Sequence, residues 1–222
     1  MQHSFPPFFL VGSVRSGTTL LRLLVGHHPQ ICRCEEMEFV ADFLRDNGPD
    51  PDMIAYRRYL DCDRNFRASG YTYDESLDFA EQAHDFLRQL REVDGKPLTG
   101  AAVHHAFSAL PDVWPDARYI YLVRDPRDVA RSCVQMGWAG SPWHGAQFWI
   151  DAEDEWARLK KRVPEDRRLE LRFESLMADS IGTLKEVCTF LGVEYDPAML
   201  EIERDTTYKR PDPNEAKSWK DP

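Results

Sequence analysis

Residues 8–19, FFLVGSVRSGTT, constrain this chain more than any other stretch. An apolar run from Phe8 to Val11 stops at Gly12, four residues intervene before Gly17, and two threonines then open an apolar, helix-like segment. A strand that passes through a glycine turn into a helix points backbone N–H groups, and the positive end of a helix dipole, at an anion. Loops of this spacing that hold nucleoside triphosphates place Lys and then Ser or Thr after the second glycine. Here Thr18 stands in the lysine's place, and the cation, Arg15, lies inside the loop. The segment therefore predicts a phosphate compound other than ATP, held by Gly12, Ser13, Arg15, Ser16, Gly17, Thr18 and Thr19. Taken alone, the pattern is also compatible with a plain strand-to-helix turn closed by a capping serine.

The rest of the chain supplies the frame for that loop. Strands are predicted at 8–11, 98–103, 117–123 and 167–173. Helices are predicted at about 16–25, 36–46, 74–91, 127–136 and 144–162, with a further one ended by Gly192. "DNGPDPD" reads as loop, and residues 205–222 read as a polar surface tail. Strands alternating with helices argue for an α/β protein, three-layer α/β/α, with a mainly parallel central sheet covered on both faces. At 222 residues and 42% hydrophobic, the chain suits a single domain, 1–222.

Composition excludes several function classes. A net charge of −10 argues against a general nucleic-acid binder, yet leaves room for a small anion next to local cations. Five cysteines, an odd number without paired C-x-x-C spacing, read as reduced thiols of a cytoplasmic protein, with no disulfide frame and no metal site. No signal peptide is expected ahead of the first strand, which begins too early to leave room for one, and the apolar runs fall short of the roughly 20 residues of a membrane span.

A second constellation, "YLVRDPRDVARS" at 121–132, puts Arg124 at the end of a strand and Ser132 on the helix that follows. Strand C-terminal ends of a parallel sheet gather at one edge, so Arg124 and Ser132 share an edge with the glycine loop and can hold a second phosphate. Arg127 and Arg131 read as solvated partners of Asp125 and Asp128.

"VRSGTTLLRLLVGHHP" with "RYIYLVRDPRDVARS" resembles the sulfotransferases that use 3′-phosphoadenosine 5′-phosphosulfate (PAPS). The likeness extends through "LRFESLMADSIGTLKEVCTFLGVEYDPAML" and is weakest over 45–95. It implies a P-loop NTPase-like fold, the 5′-phosphosulfate on the glycine loop, and the 3′-phosphate on Arg124 and Ser132. It also implies Arg15 as the cation at the departing phosphate, Phe173 against adenine, no metal requirement, and 3′,5′-adenosine diphosphate as product. The acceptor would be a hydroxyl of a small molecule, sugar or peptide.

For the proton acceptor two regions compete. "CRCEEMEFV" matches the spacing of the catalytic Glu in tyrosylprotein and heparan-type enzymes, which points to Glu36 with Glu35 beside it. "VHHAF" lies where cytosolic enzymes carry a Lys-x-His motif, but Val103 replaces the lysine. Either His104 or His105 is expected to face the site, because neighbours in extended chain point opposite ways. His27 and His28 read as structural, the tryptophans 138, 143, 149 and 156 mainly as packing, and "YKRP" at 208–211 as cations that could close over a nucleotide. Two rival classes remain at this point: a small-molecule kinase with a degenerate loop, and a noncatalytic nucleotide-binding relative.

Overall fold

A computed structural model of the protein describes residues 5–201. The predicted tail and the "YKRP" segment lie outside the described residues. Five parallel strands make one sheet in the order β2-β3-β1-β4-β5. They are β1 (Phe8–Val11), β2 (Glu35–Glu36), β3 (Gly100–Val103), β4 (Arg118–Val123) and β5 (Arg168–Arg172). Central β1 is fully buried, which explains why its four residues read as a continuous apolar run.

Alternate residues of the strands feed two cores. Phe8, Leu10, Ile120 and Leu122 pack on α1 (Thr18–Gly26), α8 (Phe173–Ala178) and α9 (Ser180–Leu191). Phe9, Val11, Tyr119 and Tyr121 face the opposite layer, built from α2 (Glu38–Asn47), α3 (Met53–Cys62), α4 (Arg64–Ser69), α5 (Phe79–Asp94) and α7 (Pro142–Leu159). The remaining α-helix, α6 (Pro126–Gln135), begins three residues after β4 ends. Aromatic packing dominates the second core, with Phe39 edge-on to both Phe66 and Phe86.

Several boundaries move from their predicted places for local reasons. Helix α1 begins at Thr18 and not at 16, because Arg15 (φ 66°) and Gly17 (φ 97°) hold left-handed conformations that no helix admits. Helix α5 begins at Phe79, where Asp78 and Glu81 form a reciprocal capping box, and Leu77 falls before it. Helices α3 and α4 occupy a stretch without a predicted element. Asp52 and Asp63 cap them, accepting from Ile54 N and Phe66 N at 2.8 Å each. Strand β2 was not anticipated either. It forms because β3 offers an open edge, and the pairing continues through Met37 N to Ala102 O at 3.1 Å.

Candidate active site

The C-terminal end of every strand delivers a residue to one place. Gly12 follows β1, Glu36 ends β2, His104 follows β3, Arg124 follows β4 and Phe173 follows β5. They converge where strand order changes direction on either side of β1, the position at which open parallel sheets bind ligands.

The glycine loop is held by its own side chains. Ser16 Oγ donates to Ser13 O at 2.6 Å, its N–H donates to the same carbonyl at 3.2 Å, and Ser13 Oγ donates to Val14 O at 3.0 Å. Both hydroxyls are thus occupied within the loop, and both serines are buried. Gly12 is required by close approach: a Cβ there would lie 2.5 Å from the Leu122 carbonyl oxygen. Gly17 meets a different obstacle, since its Cβ would lie 2.3 Å from the Phe173 ring. Phe173 therefore packs on the loop itself. Thr19 is exposed at the mouth of the site, whereas Thr18 is buried.

The two phosphate constellations touch. Arg15 Nε donates to Ser132 Oγ at 2.9 Å, and Arg124 Nη1 donates to Arg15 O at 3.1 Å. Arg124 also lies over the Phe173 ring, 4.6 Å from its centre, and Arg15 over Trp138 at 5.5 Å. Trp149 Nε1 steadies the Arg124 carbonyl at 3.0 Å. These contacts join the glycine loop, Arg124 and the Ser132 helix into one site at the sheet edge.

A sulfotransferase family model matches residues 6–197. The chain belongs to the sulfotransferase family. Protein-tyrosine sulfotransferase 1 of Danio rerio is 25% identical over 213 residues, covering 89% of this chain and 56% of that protein. Rattus norvegicus sulfotransferase 2A1 is 29% identical over 105 residues, 39% of this chain and 35% of its own. The chain thus spans about half the length, or less, of these curated relatives. Among solved structures, the sulfotransferase domain of the Synechococcus PCC 7002 olefin synthase superposes with a TM-score of 0.71 at 22% identity, covering 100% of this chain and 90% of that one. Mouse sulfotransferase SULT7A1, solved with PAP, gives 0.54 at 17% identity over 92% and 67%. The fold is that of the sulfotransferases, P-loop NTPase-like with a parallel sheet.

In this member of the sulfotransferase family the loop opens on a cavity of about 730 Å³. Glu36 lines it, 3.8 Å from Arg22 Nη2, with its side chain one-third exposed. Both histidines line it as well, contrary to the expected alternation: the strand ends at Val103, and Ala106 (φ 52°) turns the chain. Their settings differ. Exposed His105 sits 3.9 Å from Asp42 Oδ2, while His104 is held at both nitrogens, Nε2 by Thr18 Oγ1 at 2.8 Å and Nδ1 by Glu38 Oε1.

Glu38 was not among the residues the sequence singled out. It is 8% exposed at the first turn of α2. Burial works to raise its carboxyl, but the hydrogen bond and charge of His104 outweigh that and hold it below the ordinary carboxylate value. Asp63, Arg64 and Asn65, at the joint of α3 and α4, also line the cavity unannounced.

The remaining candidates have structural places. His28 Nε2 donates to Glu194 O at 2.8 Å and its Nδ1 accepts from Gln30 N at 3.0 Å, fastening the end of α1. Trp156 is in the core, stacked on Tyr121, and Trp138 lines the cavity. Trp143 is 84% exposed. Arg127 pairs with Asp125. Among the described residues no cluster of His, Cys, Asp and Glu could hold a metal ion, and no helix is long and apolar enough to cross a membrane.

Proposed function

We propose that this single domain transfers the sulfuryl group of PAPS to a hydroxyl of a small-molecule, sugar or peptide acceptor, releasing 3′,5′-adenosine diphosphate. The observation that carries this reading is the contact between the two cationic motifs: Arg15 bonds Ser132, and Arg124 bonds the loop carbonyl of Arg15. Two anions joined by one adenosine fit that arrangement.

In this mechanism the loop N–H groups, with Thr18 and Thr19, hold the 5′-phosphosulfate at the N-terminus of α1. Arg124 and Ser132 take the 3′-phosphate, and Phe173, between Gly17 and Arg124, offers its ring to the adenine side. Glu36 removes the acceptor's proton as the acceptor oxygen attacks sulfur in line. The bond from sulfur to the bridging oxygen breaks, and Arg15 offsets the charge left on the 5′-phosphate. Sulfuryl transfer of this kind asks for no metal clamp, in keeping with an arginine where a triphosphate loop uses lysine and Mg²⁺. Five free thiols, four of them buried, favour a reducing, cytoplasmic setting.

Thermal-shift comparison tests the nucleotide. 3′,5′-Adenosine diphosphate should stabilise the protein well beyond ADP or ATP–Mg²⁺, and the reverse order would make it a kinase. Mass spectrometry of acceptor mixtures supplied with PAPS should show a gain of one sulfuryl group together with released 3′,5′-adenosine diphosphate; a chain that binds the nucleotide but never turns it over is a binding module. Glu36→Gln should keep nucleotide affinity and lose about 10²-fold or more in turnover; near-normal turnover would dismiss Glu36 as the base.

A further inference from the structure

Thr18, His104 and Glu38 form a chain of hydrogen bonds whose direction depends on how many protons it contains. Glu38 Oε1 accepts from the His104 backbone N–H at 3.2 Å and faces His104 Nδ1, while Thr18 Oγ1 lies 2.8 Å from Nε2. An ionised carboxylate only accepts, so Nδ1 carries a hydrogen. When the imidazole is neutral, Nε2 presents a lone pair, and Thr18 must spend its one hydroxyl hydrogen there. The loop then meets an incoming anion with a lone pair at Thr18. When the imidazole is protonated, Nε2–H donates to Thr18, and the hydroxyl hydrogen is free to turn to the anion.

We propose that seating an anion on the glycine loop draws a proton onto His104, so that donor binding and proton uptake are coupled through Thr18. This rests on the loop being the 5′-phosphosulfate site. Glu38 is the positioning residue of the device. Its second oxygen, Oε2, is buried without a partner, so His104 is its main compensating charge, and a buried carboxylate gains most from a protonated neighbour.

The surroundings divide by sign. On the carboxylate side are Glu38 and Asp42 of α2 and Glu36 of β2, with His105 alongside. On the anion side are Arg15 of the loop and Arg124 after β4, both engaged with loop or Ser132 atoms. The α3–α4 joint adds Asp63 and Arg64 at the cavity wall. Behind the imidazole a second cavity of about 550 Å³ brings Arg45 of α2, paired with Asp42 at 3.2 Å, and Arg158 of α7, paired with Glu155 at 2.5 Å; Asp151 and Asp154 there are exposed. Only Glu38 bonds the imidazole directly among these groups. A consequence follows for the chemistry: an imidazole already protonated in the loaded enzyme cannot take the acceptor's proton, which leaves that step to Glu36.

Calorimetry on the full chain measures the coupling. 3′,5′-Adenosine diphosphate is titrated at pH 8, where its phosphates are already fully ionised, in buffers of different ionisation enthalpy such as Tris and HEPES. The wild type should take up protons as the nucleotide binds, with an apparent enthalpy that differs between the buffers, and its Kd should rise with pH above neutrality. Thr18→Val, which removes the hydroxyl from His104 Nε2 and leaves the His104–Glu38 bond in place, should bind the nucleotide more weakly and with proton uptake close to zero. Glu38→Gln should do the same. Binding without uptake in the wild type, or uptake undiminished in Thr18→Val, overturns the coupling while leaving the nucleotide reading intact. Failure of the wild type to bind the nucleotide overturns the nucleotide reading, and the coupling with it.

Discussion

Replacing Arg124 by lysine should separate the two ends of the nucleotide. The native guanidinium spreads over several duties: Nη1 donates to Arg15 O at 3.1 Å, the plane covers the Phe173 ring at 4.6 Å, and Nη2 lies 3.8 Å from Asp128 Oδ2. Its Nε is buried and unpartnered. Lysine keeps the charge and loses the planar fork. A charge-assisted hydrogen bond to a phosphate oxygen contributes about 1.5–3 kcal/mol, so losing one weakens binding by roughly 10–150-fold. Loss of the ring contact adds about 0.5–1 kcal/mol, but that loss falls on any adenine nucleotide alike. Calorimetry with 3′,5′-adenosine diphosphate and with AMP distinguishes the two. The first should weaken by roughly 30–900-fold, both losses together, and the second by no more than about fivefold, the share of the ring contact. Equal losses would refute the assignment of Arg124 to the 3′-phosphate, because they would trace the damage to the carbonyl of Arg15 and hence to the loop.

Gly12→Ala should destabilise the fold by about 2–4 kcal/mol, since the new Cβ meets a backbone oxygen that cannot yield. Calorimetric Tm should then fall by roughly 4–16 °C; a change under about 2 °C would contradict it. Glu38, held below its ordinary value, lends stability that is present above its unfolded value of 4.5 and lost as pH falls through its lowered folded value. Urea midpoints of the wild type should therefore drop more steeply between about pH 5 and pH 3 than those of Glu38→Gln, and parallel curves would remove Glu38 from the acid response.

The legible parts of this protein are those written in the backbone. Gly12 and Gly17 carry positive φ at contacts no other residue could make, and β4 stops at Val123 immediately before Arg124, so the phosphate edge could be read directly. Glu38 could not. Its partner, His104, is remote in sequence, and the two meet only because the two-residue strand β2 pairs with β3, placing Glu36 beside Ala102. A strand that short has no periodicity to detect. Helices α3 and α4 did carry signals, Asp52 and Asp63 as caps with Tyr56 and Leu60 on one buried stripe, but each buries too few residues for the pattern to stand out.

The joint of those two helices supplies a wall of the cavity. Asp63, Arg64 and Asn65 line the cavity from an element that contributes nothing to the glycine loop or to Arg124 and Ser132. Asp63 is not free to vary, because it caps α4 through Phe66 N at 2.8 Å. Among the described residues, the Arg64 and Asn65 side chains make no hydrogen bond on which the fold depends, so substitution there is expected to spare the fold and the donor site. Arg64→Ala and Asn65→Ala should consequently alter acceptor KM, or the order of acceptors in a mass-spectrometric screen, while the Kd for 3′,5′-adenosine diphosphate stays within about twofold. A larger loss of nucleotide affinity would show that the α3–α4 joint belongs to the donor side. The acceptor wall would then have to be sought across the cavity, among the side chains of α7 that face His105.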